Sequence, residues 1–169
     1  MSHQKTRILD NHQVNQKINR IAYQLYERFL YEEKVIVVGI ARQGYVVAQK
    51  ISEVLNRIAE FDVELHELSM NKQAPASLNY TYSGNSGELA QANVVLIDDV
   101  LNSGQTLIYA VKFLLNEPIK QLVTAVLVDR IHRKFPIKAD YVGLSLSTTF
   151  KEHISVEFDN ELNTTVYLQ

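Results

Sequence analysis

Two adjacent carboxylates are followed within a few residues by a small, hydroxyl-bearing loop. Asp98 and Asp99 come directly after the apolar run of residues 94–97, and Ser103, Gly104 and Thr106 come next. An unbroken apolar run of this kind is typical of a strand that a parallel sheet buries on both faces. Open α/β sheets bind their ligands at the carboxyl ends of such strands. The pattern therefore predicts a polar ligand site at the end of this strand.

The chemistry of these two groups suits a sugar phosphate. Residues 107–115 are apolar with helical spacing, so the loop before them opens a helix whose free N–H groups can hold a phosphate. Gly104 lets the backbone approach that anion closely. Carboxylates accept charge-assisted hydrogen bonds from the vicinal hydroxyls of a ribose, and a Mg²⁺ ion would compensate the excess negative charge. The alternative is that the acid pair merely ends a strand and that the Asn-Ser-Gly segment merely turns the chain.

Composition narrows the class of protein. The chain has 169 residues, of which 46% are hydrophobic, so we expect a single domain that spans residues 1–169. It contains no cysteine, which excludes disulfides, thiolate catalysis and cysteine metal sites. The formal net charge of −2 gives no global basic field for nucleic acid, although it leaves a local basic patch open. We find no long apolar segment or signal-like N-terminus, and therefore expect a cytoplasmic protein.

The order of predicted elements is helix, strand, helix, strand, long polar loop, strand, helix, strand, strand and a C-terminal hairpin. This alternation predicts a right-handed α/β sheet. The first helix has a core face, because Ile18, Ile21, Leu25 and Phe29 recur at helical spacing. Residues 34–40 follow as a buried strand, and residues 43–55 as a helix that begins in the turn 39–44. Residues 61–66 alternate between apolar and polar, which predicts a strand near the sheet edge.

Residues 69–93 are polar and too numerous for an ordinary connection in a compact domain. A loop of this length is often a lid that keeps water from a reacting centre. The alternative is an excursion that has no chemical role.

Two segments resemble a known family. Residues 94–106, VVLIDDVLNSGQT, resemble the 5-phosphoribosyl-1-pyrophosphate (PRPP) fingerprint of type I phosphoribosyltransferases. Residues 127–143, LVDRIHRKFPIKADYVG, are similar to the pyrimidine-operon regulators, which combine RNA-dependent regulation with uracil phosphoribosyltransferase activity. The likeness extends more loosely to the first helix and to the turn 39–44. It implies a Rossmann-like α/β fold with a parallel-rich sheet flanked by helices, a small hood from the two chain ends, and a homo-oligomer, dimeric or larger.

The resemblance also implies a reaction, the transfer of ribose 5-phosphate from Mg²⁺-bound PRPP to a nucleobase, most fittingly uracil, in pyrimidine salvage. Asp98 and Asp99 would hold the ribose hydroxyls. The 5′-phosphate would lie on Val100, Leu101, Asn102, Ser103, Gly104, Gln105 and Thr106, and the pyrophosphate on Ala41, Arg42, Gln43 and Gly44. Mg²⁺ would be held mainly by PRPP and water, with no metal ligand assigned to the protein.

Three positions depart from the family pattern. Related sequences usually carry a basic residue directly before the second glycine of the pyrophosphate turn, whereas Gln43 stands there and Arg42 lies one position earlier. The long loop keeps only Lys72 and Glu88 as charged residues, so Lys72 joins Asp98, Asp99 and Arg42 as a catalytic candidate. Purine-type relatives place an aspartate where Asn102 stands. Because asparagine does not titrate, general-base help is lost there, which favours uracil over a purine.

The resemblance assigns base binding to the segment that begins at residue 128, with Val128, Asp129 and Arg130 as candidates. A buried salt bridge at a strand end is an equally good interpretation of the last two. The alternative function is a nucleotide-responsive, RNA-binding regulator of pyrimidine genes with weak or no catalysis, whose candidate contacts are Arg20, His132, Arg133 and Lys138. These side chains are also compatible with an ordinary solvated face. A third hypothesis is a PRPP or nucleotide sensor that binds no RNA.

Overall fold

Twelve helices and strands, with two short 3-10 turns, make up the part of the chain that the computed structural model describes, namely residues 5–77, 79–149, 151–160 and 163–169. In chain order the helices and strands are β1 (Thr6–Leu9), α1 (Asn11–Arg28), β2 (Lys34–Ile40), α2 (Gln43–Ile58), β3 (Asp62–Met70), β4 (Tyr80–Tyr82), β5 (Asn93–Leu101), α3 (Gln105–Leu114), β6 (Gln121–Arg130), β7 (Tyr141–Leu146), β8 (Ile154–Asp159) and β9 (Asn163–Leu168).

The larger sheet has six strands in the order β4-β3-β2-β5-β6-β7. All its neighbouring pairs are parallel except β3 with β4, which pair antiparallel at the edge. The predicted parallel-rich α/β sheet is therefore confirmed. Gly39 of β2 pairs with Ile97 of β5, so the two strands run out at the same sheet edge. The turn 41–44 and the loop 102–104 consequently open side by side, as the sequence predicted.

Helices cover both faces of this sheet. On one face α1 and α2 pack over the central strands, and the four predicted core residues of α1 are all 2% exposed or less. On the other face α3 packs over β2, β5 and β6. The central strands read as continuous apolar runs because both of their faces are covered. None of the helices in the described ranges is long and apolar enough to cross a membrane.

A second, three-stranded sheet joins the two ends of the chain in the order β1-β9-β8. Strands β8 and β9 form the predicted C-terminal hairpin, with Ile154 paired to Leu168, and β1 adds to the other edge of β9. The predicted hood from both chain ends is therefore confirmed, although the four-residue strand β1 itself was not predicted. Asn11 at the start of α1 fastens the hood, since its Oδ1 accepts a hydrogen bond of 2.9 Å from the Thr164 N–H.

The expectation of one long irregular loop over residues 69–93 is wrong in part. Apart from residue 78, which lies outside the described residues, the segment contains strand β4 and 3-10 turns at Pro75–Ser77 and Ser86–Leu89. Strand β4 forms because it pairs with the edge of β3, where Met70 lies opposite Tyr80. Tyr80 in turn stacks on Phe113 of α3, with ring centroids 5.0 Å apart. Long-range pairing thus orders a stretch whose local composition is that of a loop.

Candidate active site

A cavity of about 250 Å³ opens at the carboxyl end of β5. It brings together the acid pair, the hydroxyl-bearing loop, one residue of the neighbouring turn, one residue of the long segment after β3 and the hood strand β8. Its lining consists of Gln43, Lys72, residues 98–104, Thr106, Leu107, Val126 and residues 153–156. Groups that are scattered over more than a hundred residues of sequence therefore meet in one site.

The acid pair is buried at the floor of this cavity. Strand β5 continues through Asp98 and Asp99 to Leu101, so the two carboxylates belong to the strand itself, with only 3% and 6% of each residue exposed. Asp98 Oδ1 accepts hydrogen bonds from the Asp99 N–H at 2.9 Å and from Lys72 Nζ at 3.2 Å. Lys72 Nζ also lies 3.9 Å from Asp99 Oδ1. One ammonium thus faces two carboxylates.

The imbalance between two carboxylates and one ammonium shifts the pKa values of both Asp98 and Lys72. Burial raises the pKa of Asp98 well above its ordinary value, and the neighbouring charge of Asp99 raises it further, against the opposing effect of Lys72. Burial by itself lowers the pKa of Lys72, but the charges of Asp98 and Asp99 outweigh burial and raise it. Both directions have one cause, since two carboxylates share a single cation. The site therefore favours ligands that bring further positive charge or hydroxyl donors.

The loop 102–104 connects this floor to α3. Gly104 caps α3 with φ +87°, in the left-handed region that favours glycine. A Cβ there would lie 2.7 Å from Ile137 Cγ2. The Ser103 carbonyl accepts hydrogen bonds from the N–H groups of Lys134 and Phe135, at 2.9 and 3.0 Å. The loop is thus braced by the segment between β6 and β7, which belongs to the second motif of the sequence.

The cavity side of this loop offers donors to an anion. Ser103 and Thr106 line the cavity, and the first turn of α3 provides N–H groups that lack an intrahelical partner. Asn102 presents a different group, because its Oδ1 is buried and has no hydrogen-bond partner among the residues that the structure describes. Val100 and Leu101 also line the cavity, but they belong to β5 and pair with Val128 and Asp129 of β6.

The turn 41–44 lies directly against the acid pair. Gly44 has no room for a side chain, since a Cβ would lie 2.8 Å from Asp98 Oδ1 and 3.0 Å from the Ile97 carbonyl oxygen. The peptide bond between Ala41 and Arg42 is cis. Gln43, which replaces the usual basic residue, lines the cavity and donates from Nε2 to the Val156 carbonyl of β8 at 2.8 Å. Arg42 is exposed at the start of α2, outside the described lining.

The three predicted base-binding residues lie beside the cavity and not on its described lining. Val128 is fully buried in β6. Asp129 Oδ2 accepts from Arg133 Nη2 at 2.6 Å, so Asp129 does form a salt bridge at the strand end, but its partner is Arg133 and Arg130 takes no part in it. Arg130 donates to Thr148 Oγ1 at 2.6 Å and to the Thr149 carbonyl at 2.9 Å. A part for these residues in base binding stays a prediction.

The wall opposite the acid pair comes from the hood, which the sequence analysis did not include in the site. His153, Ile154, Ser155 and Val156 contribute this wall. A local signal for the strand exists, because Ile154 and Val156 are buried and alternate with more exposed residues. The position of the strand over the cavity depends on its pairing with β9 and on the bond from Gln43. No local sequence pattern carries that information.

Arg20 and Arg133, both predicted RNA contacts, form hydrogen bonds inside the protein. Arg20 Nη2 donates to the carbonyl groups of Val142 and Gly143, at 2.9 and 2.5 Å. Arg133 donates to Asp129 and, from Nε, to the Ile137 carbonyl at 2.9 Å. Lys138 is exposed and His132 is half-buried. The Arg20 guanidinium thus ties α1 to strand β7, and the Arg133 guanidinium ties the end of β6 to the segment that follows it.

Comparison with known proteins agrees with this geometry. Residues 4–161 match the family model described as phosphoribosyl transferase domain. The chain is similar to the bifunctional protein PyrR of Pediococcus pentosaceus, with 35% identity over 91% of this chain and 94% of the relative. The PyrR protein of Haemophilus ducreyi is 33% identical over 90% of this chain and 89% of its own.

Solved structures show the same fold. The hypoxanthine phosphoribosyltransferase of Trypanosoma cruzi superposes with a TM-score of 0.76 over 95% of both chains, at 14% identity. A hypoxanthine-guanine phosphoribosyltransferase of Bacillus anthracis gives a TM-score of 0.70 over 86% of this chain and 84% of its own, at 21% identity. At such identities the likeness concerns the fold alone. With the match of the family model and the PyrR relatives, it follows that the chain belongs to the type I phosphoribosyltransferase family, in its group of pyrimidine-operon regulators and uracil phosphoribosyltransferases.

Proposed function

We propose that the protein transfers ribose 5-phosphate from PRPP to uracil and releases pyrophosphate. The observation that carries this proposal is that the buried acid pair of β5 shares one cavity with the loop at the start of α3. Carboxylates on one side and free N–H groups on the other match the two ends of a ribose 5-phosphate. The fold alone would not distinguish this activity from another, since function depends on the site.

The acid pair would bind the ribose and stabilise the charge that develops on it. Asp98 and Asp99 accept hydrogen bonds from the two ring hydroxyls. When the bond between ribose C1 and the pyrophosphate oxygen breaks, positive charge develops on the sugar, and two fixed carboxylates in a buried site stabilise it. A bond between C1 and uracil N1 then forms, and the N1 proton passes to solvent.

The 5′-phosphate would bind at the start of α3. The helix N-terminus carries partial positive charge, and Ser103 and Thr106, which carry hydroxyl groups, line the same cavity. Because the Ser103 carbonyl is held by two N–H groups of the 134–135 segment, the loop is ordered before a ligand arrives. Preorganisation of this kind supplies much of the catalysis when the chemistry is mainly positioning.

Lys72 and the turn 41–44 would bind the pyrophosphate, together with Mg²⁺. The carboxylate oxygens of Asp98 and Asp99 fit Mg²⁺, which prefers carboxylate, phosphate and water oxygens, and PRPP and water would supply most of its ligands. When bound, the ion supplies neutralising charge to the leaving pyrophosphate. Lys72, which pairs with Asp98 in the free protein, would move to the same leaving group.

The cavity suits a base that needs little acid-base help. Asn102 replaces the aspartate of purine-type relatives and offers an unpartnered buried acceptor, within the described structure, to an N–H of the base. The hood residues His153 and Ser155 form the opposite wall. Uracil presents both N–H and C=O groups in one small ring, so it fits Asn102, His153 and Ser155. A purine fits them less well, because purine-type relatives use a titrating aspartate at the position of Asn102.

The test is the release of pyrophosphate from PRPP and Mg²⁺, with uracil, guanine, hypoxanthine, xanthine, adenine and orotate supplied separately. The proposal expects turnover with uracil, and Asp99→Asn should keep the fold while greatly reducing that turnover. Turnover with a purine alone would overturn the choice of base. Binding of PRPP without turnover of any base would overturn the enzymatic proposal and leave a sensor.

A second candidate function, RNA-dependent regulation, is favoured by the similarity to PyrR proteins over almost their whole length. Lys138, which is exposed, is the predicted RNA contact that tests this candidate. This candidate expects RNA retention that depends on a bound nucleotide and weakens on Lys138→Ala. Retention that is unchanged in Lys138→Ala and independent of nucleotide would count against it.

A further inference from the structure

A cluster of metal-ligand type lies outside the candidate active site, under the segment that connects β4 to β5. Glu64 and His66 are two residues apart on β3 and therefore project from the same face of the sheet. Glu88 approaches them from the 3-10 turn Ser86–Leu89. One imidazole nitrogen and one oxygen of each carboxylate lie within 4.8 Å of one another. We propose that Glu64, His66 and Glu88 form a binding site for a divalent transition-metal ion, with Zn²⁺ as the ion that fits best.

The polar atoms that face this cluster lack partners. Within the described parts of the chain, Glu64 Oε2, His66 Nε2 and the Tyr82 hydroxyl are all shielded from solvent and form no hydrogen bond. Glu64 Oε2 and His66 Nε2 are 3.5 Å apart, which is longer than the roughly 2.7–3.2 Å of a good hydrogen bond. Buried polar groups normally find a partner. A cation between them would give Glu64 Oε2 and His66 Nε2 the partner that these two atoms lack.

The packing of the histidine ring directs the correct nitrogen into the cluster. A Cβ on Gly84 would lie 2.8 Å from His66 Nδ1 and 2.9 Å from Cε1, so this edge of the ring is pressed against the Gly84 backbone. On another side the ring packs on Tyr82, with ring centroids 5.3 Å apart. Nε2 is left facing the two glutamates. Gly84 and Tyr82 thus fix the ring as outer contacts commonly fix a metal-binding histidine.

The charges of the neighbours are compatible with a bound dication. Lys34 Nζ lies 2.7 Å from Glu64 Oε1, so its ammonium engages that oxygen and leaves the second oxygen, Oε2, for the metal. Glu64 and Glu88 offer carboxylate oxygens and His66 offers a ring nitrogen to the ion, while Lys34 stays on Glu64 Oε1, and water can complete the coordination.

The donor set selects the class of ion. Imidazole with carboxylates suits Zn²⁺ and other first-row transition metals, whereas Mg²⁺ and Ca²⁺ prefer sets made of oxygen alone. Glu88 and Lys34 also line a cavity of about 500 Å³, so the Glu88 side of the cluster borders an open cavity. Since Glu88 belongs to the long segment 69–93, the ion would fasten that segment to the sheet at a distance from the acid pair.

The experiment uses the full chain, without a purification tag and after removal of metals by a chelator. Calorimetric titration with Zn²⁺ is expected to show one ion per chain. Glu88→Gln changes an exposed side chain and keeps its size, and His66→Phe keeps a ring against Tyr82. Each should weaken binding by more than about tenfold, the loss that follows removal of even an outer partner of a metal ligand. His12→Ala on the exposed side of α1 and Asp99→Asn in the active site should leave the affinity unchanged.

A second readout does not depend on affinity. Co²⁺ should give visible absorption bands of a histidine-ligated ion that His66→Phe abolishes, and Zn²⁺ should slow hydrogen exchange of the amides of residues 83–90. The proposal is overturned if no stoichiometric binding occurs, if Glu88→Gln and His66→Phe bind like the wild type, or if Asp99→Asn is the variant that removes binding.

Discussion

The ammonium of Lys72 lies 3.2 Å from Asp98 Oδ1, so in the free protein the cation proposed for pyrophosphate is paired with a carboxylate proposed for ribose. The Lys72 side chain is 37% exposed and comes from the segment after β3, whereas Asp98 is buried in β5. The solvent-accessible partner of this pair is therefore the lysine. Binding of PRPP would replace the ion pair between Lys72 and Asp98 by two sets of contacts. The ribose hydroxyls would bind to the acid pair, and the pyrophosphate would bind to Lys72.

Binding of Mg²⁺ and PRPP should therefore be linked to protons through Asp98. Burial and the charge of Asp99 raise the pKa of Asp98 above 3.8 in the free protein, whereas hydroxyl donors and a cation favour its ionised form. The affinity for PRPP should consequently increase as the pH rises from 3.8 through the raised pKa. Calorimetry of PRPP binding in buffers of different ionisation heat should detect release of a proton from Asp98. Asp98→Asn should abolish the release from this side chain, and only the proton exchange of the PRPP phosphates should remain.

The Lys72→Gln variant tests the same linkage between PRPP binding and the ionisation of Asp98, because it removes the cation that faces this carboxylate. Removal of the cation withdraws an effect that lowers the pKa of Asp98, so the pH dependence of PRPP binding should shift to higher pH. Lys17→Gln removes the same charge from α1 and should cause no shift. If the two variants give the same curve, the pair of Lys72 and Asp98 does not control the site.

Stability should depend on pH through the same carboxyl group. Because the pKa of Asp98 is higher in the folded than in the unfolded protein, the folded protein holds the proton more tightly above pH 3.8. The contribution of Asp98 to the free energy of unfolding is thus greatest at low pH and falls as the pH rises through the raised pKa, by up to about 1.4 kcal/mol per pH unit for one proton.

Asp98→Asn should remove this part of the slope and make the free protein more stable at neutral pH, because the amide keeps the shape of the side chain without a buried charge. Denaturant unfolding over a series of pH values measures the effect. Asp62→Asn, at the exposed start of β3, is the matched control and should leave the slope unchanged. Equal slopes in the wild type and Asp98→Asn would contradict the prediction.

The sequence predicted the parts of the fold that local patterns determine. The residues of β5 from Val94 to Ile97 are fully buried, so four apolar residues in a row identified a strand covered on both faces. The loop before α3 was equally predictable, because an apolar segment with helical spacing follows it, whereas the left-handed conformation of Gly104 was not predicted. The close approach of Gly44 to Asp98 follows from two strands that end at one sheet edge.

Long-range contacts determine what the sequence did not predict. Strand β4 has only three residues, and its pairing with β3 orders a segment whose composition is that of a loop. The hood strand β8 reaches the cavity through backbone pairing with β9 and through the bond from Gln43 to the Val156 carbonyl. A backbone acceptor has no sequence signature, so a glutamine that seemed only to lack a charge could not be recognised as a hood contact.

Gly104→Ala should destabilise the fold and weaken PRPP binding together. At φ +87° an alanine costs about 1–2 kcal/mol in the backbone alone, and its Cβ would also press on Ile137 Cγ2. Denaturant unfolding should show at least this loss, and the KM for PRPP should rise more than the KM for the base. Gly87→Ala is the control, because a Cβ there meets only Asn85 Oδ1 at 3.4 Å. A stable Gly104→Ala variant with an unchanged KM for PRPP would exclude a role for this loop in phosphate binding.

Gln43→Arg should make the pyrophosphate turn resemble that of related phosphoribosyltransferases, which usually carry a basic residue at this position. Gln43 lines the cavity and donates to the Val156 carbonyl, and an arginine can keep a donor there while it adds a charge that binds phosphate bidentately. We expect a lower KM for PRPP and faster release of pyrophosphate, measured by steady-state kinetics. Gln43→Met has a similar length but no donor, so it should loosen the hood and raise the KM. If arginine and methionine have the same effect, the position contributes only its contact with the hood, and the weaker charge of this turn does not limit catalysis.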